Sequence, residues 1–140
     1  MPQPATRACP TGRLRLRYSE TLPSEPESAA AARRLMNTAT SRWGLEELAE
    51  ESALVVTELV ANAVQHARGE VIRVVVERTA VRTVRVAVAD FSRELPRPRA
   101  PKDDAEDGRG LFMVAALAAD WGTDERRWGK IVWAELAGRG

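Results

Sequence analysis

Apolar residues recur along the chain with two different periods, and the switches between them outline the fold. Over 28–43 they return every three or four positions, with Ala29, Ala32, Leu35, Met36 and Ala39 on one side. That spacing, after the turn signals Pro23 and Pro26, predicts a helix. Glu46, Glu47, Glu50 and Glu51 gather where a longer helix begins, since acids suit the N-terminal end of the helix dipole. Leu54, Val55, Val56, Leu59, Val60, Ala63 and Val64 are expected to bury most of it, and Gly69 to take the left-handed position that ends it near Ala67. The period then drops to two. Residues 71–78 and 81–89 alternate, Ile72, Val74 and Val76 against Arg73 and Glu77, then Val84, Val86 and Val88 with Arg85 outward, which predicts a hairpin with a very short turn. A strand over 13–19, a helix from 110 to about 120 and a last strand over 130–136 complete the domain. This order predicts a two-layer α/β sandwich, with helices on one face of a mixed, mostly antiparallel sheet.

Residues 1–12, with three prolines and little apolar periodicity, read as a flexible tail, and 13–140 as a single domain. A chain of 140 residues, 44% of them hydrophobic, buries one core without disulfides or structural metal. Net charge is +1, which gives no reason to expect nucleic acid. Arg13, Arg15 and Arg17 alternate with Leu14, Leu16 and Tyr18, so they mark the solvent face of a strand rather than a phosphate-tracking patch. Cys9 is the only cysteine, which points to a reducing, cytoplasmic setting. The longest apolar stretch, 111–119, is far too short to cross a bilayer, and no secretory signal precedes it. Of Trp43, Trp121, Trp128 and Trp133, most suit core and sheet packing, and the acidic run Asp103, Asp104, Glu106 and Asp107 suits a solvated lid.

Candidate chemistry begins in the long helix, where Glu58, Asn62, Gln65 and His66 form a polar stripe in ELVANAVQHA. Spacings of four and of seven or eight put Glu58, Asn62 and one or both of the others on one face. Polar groups beside so apolar a surface need partners. On the helix alone two readings stand. The residues are capped or solvated, or they hold a ligand: an Asn amide oxygen suits Mg²⁺ completed by phosphates, and a carboxylate one turn earlier can deprotonate a nucleophile.

Two further features follow in order. The strand over 81–89 ends in Asp90, and Gly108-Arg109-Gly110 stands directly before an apolar helix, where backbone N–H groups can meet an anion. Acid and amide on a helix, Asp at a strand end, and glycines before a helix resemble the GHKL (Bergerat-fold) ATP-binding superfamily. The chain is most similar to the small anti-sigma-factor serine/threonine kinases and related small ATP-binding regulatory proteins. The resemblance runs from about 22 to 136 and includes Trp121-Gly122 and the pattern GKxVW over 129–133.

The resemblance implies that Asn62 is the Mg²⁺ ligand and Glu58 the catalytic base, with His66 near the phosphates. Asp90 would accept a hydrogen bond from the adenine amine. Gly108, Arg109, Gly110 and Leu111 would close the far side of the triphosphate site, and 93–107 would form the lid. Two departures bear on affinity. The first glycine box, often Asp-x-Gly-x-Gly, is here Asp90-Phe91-Ser92-Arg93-Glu94, so a stiffer loop is expected, and Ile131 stands where a Thr often helps an ordered water bind adenine.

The only histidine lies inside the nucleotide motif, so a self-contained histidine kinase is not expected, nor are the multidomain topoisomerase, mismatch-repair and chaperone ATPases. The expected protein is an ATP–Mg²⁺-dependent serine/threonine kinase that binds a sigma factor and phosphorylates an anti-anti-sigma antagonist protein. The alternative is a non-catalytic ATP-binding regulatory module, or a surviving protein-interaction surface. A homodimer is compatible with the basic edge strand.

Overall fold

The computed structural model describes residues 16–66, 69–91 and 111–138. In chain order these form β1 (Arg17–Pro23), α1 (Ser28–Arg42), a 3₁₀ turn (Glu46–Leu48), α2 (Ala49–His66), β2 (Val71–Ala80), β3 (Thr83–Phe91), a helical segment over 111–117, β4 (Asp120–Arg126) and β5 (Gly129–Ala137). The strands make one five-stranded sheet in the order β1-β2-β3-β5-β4, every neighbouring pair antiparallel. The expected two-layer sandwich is therefore present, its described strands at the antiparallel end of what was expected.

Period-two patterning does the positioning. β3, central in the sheet, alternates half-buried and buried residues along its length, and Val84, Val86 and Val88 are each at most 1% exposed. These valines share a face with Ile72, Val74 and Val76 of β2 and with Val132, Ala134 and Leu136 of β5. Both helices cover that face, α1 over β1 and β2, α2 over β3 and β5. The tight β2–β3 connection is closed by the Arg78 guanidinium, whose Nε and Nη2 donate to the Val81 carbonyl at 3.1 and 2.7 Å.

Several expectations need correction. The first strand runs over Arg17–Pro23 rather than 13–19, and 13–15 lie outside the described residues, as do the expected tail and lid. Leu54 is 46% exposed, because it lies on the side of α2 turned away from the sheet. α2 is described as far as His66, in keeping with an end near Ala67, but Gly69 does not have the left-handed conformation expected of a helix cap. Its role is close approach: a Cβ there would overlap the Phe91 carbonyl. The helix expected to reach 120 stops at 117, and the chain enters an unforeseen edge strand, β4. Asp, Gly and Glu disfavour strands, and DWGTDER carries no apolar alternation, so its pairing with β5 supplies what local pattern does not.

That pairing also explains why WG and GKxVW occur together. Gly122 lies opposite Trp133 on the face away from the helices, where the indole packs over it and the Arg85 guanidinium sits 4.5 Å from the ring centroid. A Cβ at Gly122 would come within 2.8 Å of the ring. Gly122→Ala should therefore cost about 1–3 kcal/mol, read as a lower denaturant midpoint at unchanged slope. Adding Trp133→Leu should return part of that loss; equal loss in the single and double variants would show that the ring is not the cause.

Candidate functional site

α2 carries its polar groups on the flank of its buried side. Val55, Val56, Leu59, Val60 and Ala63 are at most 1% exposed, and this apolar stripe fixes the helix's rotation on the sheet. Asn62, at the stripe's margin, is 8% exposed, and its Oδ1 is buried with no hydrogen-bond partner among the described residues. Glu58, one turn earlier, is half-buried. The turn carrying it is tied to α1, since Arg33 Nη1 donates to Thr57 Oγ1 at 3.1 Å while that hydroxyl donates to the Ala53 carbonyl at 2.7 Å.

Asp90 occupies the fourth inward position of β3, after Val84, Val86 and Val88, and is 4% exposed. The alternation that buries the valines turns its carboxylate toward the helices. Ile72 lies opposite it on β2, so four residues after His66 the chain enters the strand whose second position faces Asp90. Asn62 and Asp90 are thereby brought to the same end of the sandwich. Just beyond Asp90, Phe91 packs on Trp128 with ring centroids 5.2 Å apart.

Leu111 is half-buried and packs against the core at the start of the segment over 111–117. Gly108, Arg109, Gly110 and the lid over 93–107 lie outside the described residues, and so does the His66 side chain. Ile131 is not where the motif comparison put it. It pairs with Ala89 and lies on the face away from the helices, whereas Lys130 lies opposite Asp90 on the helix-facing side. Sequence reasoning missed Lys130; the parity of Val132, Ala134 and Leu136 in β5 was the signal that could have found it.

A buried amide oxygen without a partner suits a hard cation, and Mg²⁺ is usually held by one or two protein oxygens plus phosphates. The unpartnered Asn62 Oδ1 is a donor that fits such an ion, with substrate phosphates completing its shell. The structure thus places an acid and an amide on one helix flank and a buried aspartate at the end of the central strand. A profile of the histidine kinase-like ATPase domain matches residues 22–136, and the chain belongs to that family. No curated protein matches the chain. ATP binding and the α/β sandwich follow from that membership; among the described residues no helix is long and apolar enough to cross a membrane.

Two outcomes are expected. Asp90→Ala, if folded, should weaken ATP by roughly 10- to 100-fold, the usual worth of a hydrogen bond to a charged group, and unchanged affinity by calorimetry would remove Asp90 from the site. Asn62→Leu exchanges an amide whose oxygen has no partner for an apolar group of similar volume. Thermal stability should hold or rise while the Mg²⁺-dependent part of ATP affinity disappears. Equal Mg²⁺ dependence in variant and parent would argue against Asn62 as the ligand.

Proposed function

We propose that the protein is an ATP- and Mg²⁺-dependent serine/threonine protein kinase of the anti-sigma-factor type, which binds a sigma factor and phosphorylates a serine on a small antagonist protein. The observation that carries this reading is Glu58, a half-buried carboxylate one turn before Asn62 on a helix seated on the sheet by its apolar stripe. Nucleotide binding alone gives no reason for an acid there, since a carboxylate near phosphate opposes affinity. A base for an attacking hydroxyl does.

In this reading the Glu58 carboxylate takes the proton from the serine hydroxyl as its oxygen bonds to the γ-phosphorus. The bond to the β,γ-bridging oxygen breaks, and ADP leaves. Mg²⁺, when bound, neutralises charge on the phosphates. Asn62 would orient that charge, and Asp90 would fix the base by its amine.

A second reading has its own support. Phe91, locked against Trp128, begins a stretch without the usual glycines, which favours a regulatory module that holds a partner in an ATP-dependent way without catalysis. Glu58→Gln separates the two. It should keep or improve ATP binding, and in a kinase it should cut phosphotransfer to the antagonist by roughly 10²- to 10⁴-fold, the usual contribution of a positioned base. Phosphotransfer undiminished by the change would make Glu58 structural. A parent that transfers no phosphate to any candidate antagonist, yet binds a partner only with ATP present, would establish the regulatory module.

A further inference from the structure

One row of the sheet crosses the site on its helix-facing side: Ile72 of β2, Asp90 of β3, Lys130 of β5 and Glu125 of β4, each directly opposite the next. The row grades from apolar to charged. Ile72 is fully buried, Asp90 is 4% exposed, Lys130 is half-buried and Glu125 is exposed. Directly opposite residues in an antiparallel pair have Cβ atoms about 4.5–5.5 Å apart, so the Asp90 and Lys130 side chains leave the sheet side by side on the same face. A half-buried lysine lays its methylenes on apolar surface and keeps its donors at the tip.

Side by side, these groups form an acceptor next to a donor. The Watson–Crick edge of adenine has the complementary order, an amine donor at position 6 next to an acceptor at N1. Hypoxanthine and guanine reverse it, with an acceptor at position 6 and a donor at N1. A lysine offers only donors, three of them, so it can complete the first pattern at N1.

Resting on the ATP-site reading above, we propose that Lys130 is a base-reading residue, whose ammonium donates to N1 of the adenine that gives its amine hydrogen to Asp90. The pair selects adenine by the order of its acceptor and donor. The backbone register assigns this role to Lys130, and Ile131, on the opposite face of the sheet, takes no part.

The test compares ATP with 1-deaza-ATP, which lacks the N1 acceptor and keeps the amine, by calorimetry on the parent, Lys130→Met and Lys130→Arg, each checked for folding by thermal unfolding. The parent should bind 1-deaza-ATP roughly 10-fold more weakly than ATP, as expected for one charge-assisted hydrogen bond. Lys130→Met should lose ATP affinity by about the same factor and leave 1-deaza-ATP unchanged, whereas Lys130→Arg should keep a preference for ATP. A merely structural lysine would lower both ligands equally in Lys130→Met, and that result overturns the proposal. A parent that binds both ligands equally overturns it without reference to any variant, while leaving the ATP site standing. A parent that binds neither removes the site reading and this inference together.

Discussion

The seat of α2 on the central strand is the constraint on which the site depends. Its inward residues and the valines of β3 are almost wholly excluded from water, and each such side chain contributes about 1.5–3 kcal/mol when fully buried. Rotating α2 far enough to re-aim Asn62 would expose several of them at once. The direction of Asn62 is thus held by its apolar neighbours on α2. The pairing of β2 with β3 then fixes the second half of the arrangement, because its register sets Ile72 beside Asp90.

Such a site carries a thermodynamic burden. A buried amide oxygen without a partner costs roughly 1–3 kcal/mol, and a carboxylate at the inner end of a central strand gives up hydration that an apolar residue would not need. The amide does not help the fold, since a leucine would suit its position better. The Asn62 oxygen, buried without a hydrogen-bond partner among the described residues, is a group that a cation carried on phosphate would complete. The family assignment and the local energetics therefore point the same way from independent starting points.

What the sequence made legible is what local periodicity encodes. The α2 stripe was readable because a helix places positions four apart together, and the burial of Asp90 because β3 keeps its alternation to its end. Misreadings arose where tertiary partners decide. Gly69 looked like a helix cap because cap signals are local, while its actual constraint is the Phe91 carbonyl on another strand. β4 escaped notice because an edge strand rich in Asp, Glu and Gly exists through its neighbour β5 and not through its own pattern.

The distinction between Lys130 and Ile131 shows why a motif alone is not enough. Counting along GKxVW puts both residues near the end of β3, and the choice between them rests on which face each side chain takes. Adjacent strand positions face opposite ways, so a one-residue difference moves a side chain across the whole thickness of the sheet. Leu136, Ala134 and Val132 are buried against the helices, which forces Lys130 to their side and sends Ile131 and Trp133 to the other. Trp133 in turn requires the open position at Gly122, so the packing of the outer face and the chemistry of the inner face are fixed by one register. A slip of β5 by one residue would bring Ile131 beside Asp90 and turn the indole into the core, so the identity of the residue beside Asp90 is set by packing elsewhere along the strand.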